Sequence, residues 1–258
     1  MIPDEVTDDA FLGGKLHLLQ PKKGFRSGLD AVLLAAAARA PAISPRHVLD
    51  AGAGVGAVGL AIAVGCPDAR ITLVEIDPAL AKLARRNAER NNLSNRVDVV
   101  VADLSAGGRA VHDSVRPQGL APGMFDRIVV NPPYFATGSG TPPALRSRAG
   151  AHQMAEGSLD RWIAFLATAA AADATLTMIH RADALTEVLS AIHGRFGRIR
   201  LLPVQPRIDA AATRIIVAAT KGSRAPLEIK PSLVVHDVEG RFLPALDRIL
   251  RHGDALKI

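Results

Sequence analysis

The chain has 258 residues, of which 48% are hydrophobic, so it can bury the core of a full domain. Its apolar runs are shorter than the roughly 18 residues that cross a membrane, and its acidic start is atypical of a signal peptide, so we expect a cytoplasmic protein. The single cysteine, Cys66, excludes an internal disulfide, eight scattered histidines predict no metal site, and a formal charge of +6 suits a polyanionic partner.

Short apolar segments alternate with helical patterns along the chain, which is typical of a parallel sheet with helices on both faces. We therefore predict an α/β fold with a Rossmann-like, doubly wound, mostly parallel seven-stranded sheet. The predicted strands are 46–50, 70–75, 96–102, 126–130, 174–179, 197–202 and 213–219. The predicted helices are 29–40, 57–64, 78–91, 158–172, 182–193 and 241–251.

A glycine-rich loop follows the strand predicted at 46–50. Glycine lets the backbone turn sharply and approach a ligand, and the helix after the loop points its first amides at that ligand. The loop therefore predicts a cofactor site. Because residues 54–59 also fit the dinucleotide template G-x-G-x-x-G, a nicotinamide cofactor is an alternative at this point. The cofactor-binding candidates here are Asp50, Ala51, Gly52, Gly54 and Gly56.

Two later strands end near a carboxylate. Glu75 ends the strand 70–75, where a carboxylate can accept both hydroxyls of a ribose. Asp103 follows the next strand and is placed to accept from an adenine amino group. For each of them an ordinary strand-end or helix-cap role is the alternative. We select Glu75 with Ile76, and Asp103 with Leu104, as further cofactor-binding candidates.

The tetrapeptide Asn131-Pro132-Pro133-Tyr134 follows the predicted strand 126–130 and contains the only tyrosine. Proline has no backbone N–H, so this segment offers acceptors and few donors, and Asn131 adds a side-chain carbonyl. Two converging acceptors, on Asn131 and Pro132, can hold both protons of a planar amine, while Tyr134 offers a ring for a flipped-out base. The pattern predicts an amine-modifying active site, and a plain strand end is the alternative.

Two segments, 105–123 and 136–157, have an irregular pattern rich in glycine and proline. The second directly follows the tetrapeptide, where a long loop often acts as a lid or a substrate clamp. Arg146 and Arg148 in this loop are candidate phosphate contacts. Solvated loop arginines are the alternative.

Basic residues predict a nucleic-acid partner. The segment 193–224 contains seven basic residues and one acidic residue, an excess that equals the net charge of the whole chain. Clustered positive charge attracts a polyanion through its phosphates. A second basic group comprises Lys15, Lys22, Lys23 and Arg26. Our hypothesis is that RNA lies across both groups with one base extruded toward Tyr134; Pro133, Lys22, Lys23, Arg26 and Arg207 are the remaining RNA-binding candidates. A basic surface without nucleic-acid binding is the alternative.

The cofactor loop, Glu75, Asp103 and the tetrapeptide, in this order, resemble class I S-adenosylmethionine-dependent methyltransferases, and the tetrapeptide resembles their amino-methylating branch. The resemblance covers roughly residues 25–220. It implies that S-adenosylmethionine is the cofactor, with Asp50 and the loop at its methionine half, Glu75 at its ribose and Asp103 at its adenine. It also implies that Asn131 faces the sulfonium methyl.

A narrower resemblance lies near the N-terminus. Residues 13–21 and 24–35 are similar to the lead-in of the bacterial valine-tRNA adenine N6-methyltransferases. This similarity implies that Gly28 and Asp30 lie over the cofactor from the substrate side. A helix N-cap is the alternative role for Asp30.

The resemblance divides the chain into three predicted regions: a lead-in with a cofactor-covering helix at 1–45, a methyltransferase domain at 46–222, and an extension packed on that domain at 223–258. We predict methylation of adenine N6 in tRNA. The alternatives are a protein glutamine amide or guanine N2 in rRNA, although the 49 residues before Asp50 leave little room for the helical domain that glutamine methyltransferases usually carry. A non-catalytic RNA-binding protein is the alternative from a different class, but it predicts a damaged tetrapeptide.

Overall fold

The structure, a computed structural model, describes residues 5–24, 26–39, 44–105, 120–132 and 158–258. The strands in these ranges are β1 (Val6–Phe11), β2 (Leu16–Pro21), β3 (His47–Ala51), β4 (Arg70–Glu75), β5 (Val97–Val101), β6 (Phe125–Val130), β7 (Ala170–Arg181), β8 (Phe196–Gln205), β9 (Arg214–Lys221), β10 (Glu228–Ile229) and β11 (Leu233–Val234). The helices are α1 (Leu29–Ala38), α2 (Ala57–Gly65), α3 (Pro78–Arg90), α4 (Ser158–Ala169), α5 (Leu185–Ile192) and α6 (Pro244–His252).

Among the described residues, nine strands form the central sheet in the order β10-β8-β9-β7-β6-β3-β4-β5, and β11 also pairs with β8. The strands from β3 to β7 are mutually parallel, and β9 is antiparallel to both of its neighbours. The carboxyl ends of β3 to β8 therefore lie at one edge of the sheet, which we call the catalytic edge. The seven long strands β3 to β9 match the predicted count, and β10 and β11, of two residues each, extend this sheet.

Helices cover both faces of the sheet, as the doubly wound prediction requires. One apolar cluster joins the sheet to α1, α2 and α6, and a second joins the opposite face to α4 and α5. The sequences explain this arrangement. Five successive residues of β4 are buried, as expected of a strand covered on both faces, and α1 is apolar on all sides and buried from Ala31 to Ala38.

The N-terminal region contains a hairpin that the sequence analysis did not predict. Strand β1 pairs antiparallel with β2, and this two-stranded sheet is separate from the central one. The connecting turn requires glycine at Gly13, where φ is 65° and a Cβ atom would lie 2.3 Å from the carbonyl oxygen of Arg251. The hairpin thus packs closely against the end of α6.

Candidate active site

The predicted motifs lie side by side along the catalytic edge. Strand β6, which precedes Asn131, lies beside β3, which precedes the cofactor loop. Next come β4, which ends at Glu75, and β5, which precedes Asp103. Segments that are up to about eighty residues apart in sequence are therefore neighbours at one edge of the sheet, the usual place for ligands in open α/β folds.

Three glycines shape the cofactor loop, with φ values of 71° at Gly52, 57° at Gly54 and 88° at Gly56. A Cβ atom at Gly52 would lie 2.8 Å from the ring of Trp162, and one at Gly56 would lie 2.9 Å from Leu73. At Gly54 the same position is open, with no atom of the described residues within 4 Å. Gly52 and Gly56 thus allow the loop to pack on the protein, whereas Gly54 presents bare backbone to the surrounding space.

The buried side chain of Asp50 connects the strand before this loop to the helix after it. Its side chain is 1% exposed, and its Oδ2 accepts a hydrogen bond of 2.8 Å from the N–H of Gly59 in α2. Burial, with a smaller contribution from the nearby charge of Glu75, raises the pKa of this carboxyl group to about 7, against the opposing effect of that hydrogen bond. Asp50 therefore ties the end of β3 to the first turns of α2.

Glu75 links the loop to the next helix. Its Oε2 accepts from the N–H of Gly54 at 2.7 Å and its Oε1 accepts from the N–H of Asp77 at 2.9 Å, while burial raises its pKa. An ionised carboxylate has about four acceptor positions, so these two bonds leave capacity for the ribose hydroxyls that the sequence predicts there. Ile76, the next residue, is half-buried.

Asp103 lies exposed beyond β5, and Leu104 beside it is buried. Its Oδ1 accepts from the N–H of Ser105 at 2.8 Å and from the Ser105 hydroxyl at 2.6 Å. These two bonds form a side-chain turn after the strand, which is the kind of strand-end role that was the alternative for Asp103. The other carboxylate oxygen of Asp103, Oδ2, makes neither of these bonds. The contact between Asp103 and the adenine of the cofactor stays a prediction.

The Gly28 and Asp30 pair begins α1 near the same edge. Gly28 is the N-cap residue, so the N-cap alternative for Asp30 is wrong. Asp30 instead accepts from Nε of Arg214 at 3.0 Å, which joins α1 to the start of β9. The Cβ position of Gly28 is open, since no atom in the described part of the chain lies within 4 Å of it. Gly28 therefore leaves room for a ligand over this end of the helix, and α1 itself is a core helix.

The structure describes the first two residues of the tetrapeptide 131–134. Asn131 is half-buried and Pro132 is buried, directly after β6. Pro133, Tyr134, Arg146 and Arg148 lie outside the described residues.

Some side chains of the second basic group have acidic partners in the hairpin. Lys22, Lys23 and Arg26 are exposed, but Arg26 pairs with Asp9 at 2.7 Å and Lys22 lies 3.9 Å from Glu5. The hairpin therefore neutralises part of this group.

The segment 193–224 does not form a single surface. It folds into β8 and β9, and a ten-residue strand is about 33 Å long. Arg207, which is exposed, and Arg214 lie at the catalytic edge. The other basic residues of the segment lie at or toward the opposite edge: Arg195, Arg198, Arg200, Lys221 and Arg224.

Two residues beside the cofactor loop were missed by the sequence analysis. Trp162 of α4 packs on Gly52, and the fully buried Asn87 of α3 donates to the carbonyl oxygen of Val55 at 3.0 Å. The only signal for Trp162 was that it is the single tryptophan. Within the described part of the chain, no group of three His, Cys, Asp or Glu residues could hold a metal ion, and no helix is long and apolar enough to cross a membrane.

Comparison with known proteins decides the family. The model of the methyltransferase small domain matches residues 30–152. A tRNA1(Val) (adenine(37)-N6)-methyltransferase from Porphyromonas gingivalis is 30% identical over 248 residues, which cover 93% of each chain. This chain belongs to the tRNA1(Val) (adenine(37)-N6)-methyltransferase family. It is a methyltransferase with S-adenosylmethionine as its cofactor, and the nicotinamide alternative is wrong.

Solved structures of other methyltransferases agree with this fold. A predicted O-methyltransferase from Agrobacterium tumefaciens has a TM-score of 0.72 at 27% identity, covering 89% of this chain and 99% of that one. Precorrin-6y C5,15-methyltransferase from Geobacter metallireducens has a TM-score of 0.51 at 16% identity, covering 80% of this chain and 94% of that one, which shows the fold alone. The predicted class I methyltransferase fold is confirmed.

The residues of this methyltransferase fit S-adenosylmethionine. Gly54 and Gly28 offer backbone without a side chain where a Cβ atom would fill open space. The carboxylates of Glu75 and Asp103 suit hydroxyl and amino donors, and both stand at the ends of neighbouring strands.

Substitutions in the glycine loop of the methyltransferase should separate stability from cofactor binding. Gly54→Ala places a methyl group in the open space, so we expect the dissociation constant for S-adenosylmethionine to rise more than about tenfold, with about 1 kcal/mol lost from stability for the left-handed backbone. Gly56→Ala has the same backbone cost and also clashes with Leu73, so its stability should fall by roughly 2–4 kcal/mol. Urea unfolding measures the change in stability, and titration calorimetry measures the change in cofactor affinity. An unchanged affinity in Gly54→Ala would show that the cofactor does not bind against this loop.

Proposed function

We propose that this protein methylates N6 of an adenine in tRNA, with adenine 37 of a valine tRNA as the first candidate. The observation that carries the proposal is the position of Asn131 and Pro132, at the carboxyl end of β6 and directly beside the strand that leads into the cofactor loop. This position supports a proposed amine site beside the proposed methyl-donor site. The family to which the chain belongs supports adenine as the amine. A tRNA substrate also supports a cytoplasmic location.

The chemistry that we assign to the chain is positioning by fixed acceptors. When bound, S-adenosylmethionine supplies an electrophilic methyl group on a sulfonium. The side-chain oxygen of Asn131 and the carbonyl oxygen of Pro132 accept the two N–H groups of the adenine amine and favour the pyramidal nitrogen that attacks the methyl carbon. The bound cofactor would supply the methyl group to nitrogen, its sulfur would keep the electron pair of the carbon–sulfur bond, and the amine proton would leave late to Asn131, a carbonyl group or water. The ring of Tyr134 is proposed to stack on the flipped-out base.

The other site residues keep the roles that the sequence suggested, as parts of this proposal. Asp50 and the loop from Ala51 to Gly56 would border the methionine half of the cofactor, and Gly28 with Asp30 would cover it from the substrate side. Glu75 and Asp103 would bind its ribose and its adenine. We also keep residues 46–222 as the unit that carries methyl transfer.

The RNA contacts should depend on salt. The exposed Lys22, Lys23 and Arg207 are the proposed phosphate contacts among the described residues, so RNA affinity should fall as salt rises, and Lys22→Ala combined with Lys23→Ala should reduce the slope of log affinity against log salt by up to about two. Fluorescence anisotropy with a labelled anticodon stem-loop between low and physiological salt measures the slope. A binding constant that is independent of salt would refute phosphate recognition.

Methyl transfer to defined RNA tests the proposed function. The substrates are an unmodified valine tRNA transcript with adenine at position 37 and the same transcript with guanine there, each incubated with labelled S-adenosylmethionine and then digested to nucleosides. We expect N6-methyladenosine from the first transcript only. Label in both transcripts at another nucleoside, or label only in added protein, would contradict adenine 37 as the target.

A further inference from the structure

Two asparagine side chains join α3 to the N-terminal hairpin. Asn87 lies in the last turns of α3 and Asn91 is the C-cap residue, four positions later, so the two side chains project from the same side of this helix end. The Oδ1 of Asn87 accepts from the N–H of Leu19 at 2.8 Å, and its Nδ2 donates to the carbonyl oxygen of Leu19 at 3.0 Å. Asn91 makes the same pair of bonds with His17, at 2.9 and 2.7 Å. Each side-chain amide thus pairs with β2 as the peptide group of another strand would.

Only Asn87 extends this pairing to the cofactor loop. Its Nδ2 also donates to the carbonyl oxygen of Val55 at 3.0 Å, and its side chain is fully buried. The corresponding bond of Asn91 goes to the carbonyl oxygen of Asn87 within its own helix, at 2.7 Å. Two chemically identical side chains therefore make the same pair of bonds with the hairpin, while of these two only Asn87 touches the loop.

The loop needs such a restraint because Val55 lies between two glycines with positive φ, Gly54 and Gly56. Glycine has the largest conformational freedom to lose, so each fixed hydrogen bond reduces the ordering that the cofactor must impose. Glu75 holds the N–H of Gly54 from one side, and Asn87 holds the next carbonyl group from the other. The loop is thus held at successive residues by two side chains.

The hairpin also controls the entry to α1. Gln20 of β2 is buried, and its Oε1 accepts from the N–H of Ser27 at 2.8 Å while its Nε2 donates to the Ser27 carbonyl oxygen at 3.2 Å. Ser27 immediately precedes Gly28. Strand β2 therefore holds, through Asn87 and Gln20, two segments that are proposed to contact the cofactor.

We propose that Asn87 is a positioning residue for the methyl donor, which transmits the docking of the N-terminal hairpin to the cofactor loop. This inference rests on the proposed function, because it requires S-adenosylmethionine to lie against the loop. The hairpin is then part of the cofactor site, although none of its own residues is assigned to contact the cofactor.

Paired substitutions test this role. Asn87→Ala should raise both the dissociation constant and the KM for S-adenosylmethionine by about three- to tenfold, the effect of losing one hydrogen bond that prepares the loop, and leave kcat at saturating cofactor unchanged. Asn91→Ala removes the same pairing with β2 and should leave both constants as in the parent. An equal rise in the two variants, or a rise in neither, would overturn the assignment to Asn87. Failure of the proposed function gives a different result, because the parent protein itself would then not bind S-adenosylmethionine.

A measurement on the parent protein covers the case in which Asn87→Ala does not fold. The amide of Leu19 is held by Asn87 and the amide of His17 by Asn91, so the two are matched probes of hydrogen exchange by NMR. Addition of S-adenosylmethionine should slow exchange at Leu19 more than at His17, because the cofactor stabilises the loop that Asn87 touches. Equal slowing at both amides, or none at either, would overturn the proposal.

Discussion

Asn131→Ala should lower kcat for methyl transfer by on the order of 100- to 1000-fold, equivalent to roughly 2.7–4 kcal/mol of transition-state stabilisation. The reason is that the variant loses one of the two acceptors that orient the amine, while the cofactor loop on the neighbouring strand is unaltered. Single-turnover rates with valine tRNA measure the effect, and calorimetry should give an S-adenosylmethionine affinity close to that of the parent.

A conservative variant provides the control for this result. Asn131→Asp keeps an acceptor oxygen at the same position, so it should lose less activity than Asn131→Ala. Equal activity in the parent and Asn131→Ala would remove Asn131 from the mechanism. Equal losses in the two variants would show that the acceptor oxygen is not the feature that matters.

Asp50→Asn should change the pH dependence of stability. In the folded protein the pKa of Asp50 is raised to about 7, whereas in the unfolded chain it is near 3.9. Between these values the folded state holds a proton that the unfolded state has released, so the contribution of Asp50 to stability is complete below about pH 4 and is lost as the pH rises through about 7. The full difference is on the order of 4 kcal/mol.

The neutral amide of the variant keeps an acceptor for the N–H of Gly59 and has no charge to bury. The free energy of unfolding of Asp50→Asn, relative to the parent, should therefore increase from pH 5 to pH 8. Urea unfolding at several pH values, without cofactor, measures the difference. Parallel curves for the two proteins would show that the buried carboxyl group does not take up a proton on folding.

Local patterns were sufficient to predict most of the fold. The buried strand β4 and the amphipathic helix α3 were predicted to within one residue, because each has a strong periodicity and a clear beginning and end. The beginning of β7 was predicted too late. Alanines favour helix over residues 170–172, but pairing of Ala170 with Phe125 of β6 makes this segment a strand. Long-range pairing of this kind leaves no local signal.

The hairpin was missed for a related reason. Strand β1 contains Asp8 and Asp9, which have low strand propensity, and the outer edge of β2 pairs with side chains of α3 instead of another strand. The positions of the site segments followed from strand order, which the fold class specifies. The bond between Asn87 and the cofactor loop depends on a helix packing angle, and no spacing in the sequence encodes that angle.

The two dipeptide strands at the outer side of β8 suggest why the chain continues past the last long strand. Without them, the side of β8 that faces away from β9 would present unpaired N–H and C=O groups along most of its ten residues. Such an open strand can pair with a strand of a second molecule. Instead β10 and β11 pair with β8, and Pro231 lies between them and cannot donate to a further strand. We therefore expect that substitutions which prevent β10 and β11 from pairing would leave β8 open to edge-to-edge association with a second molecule.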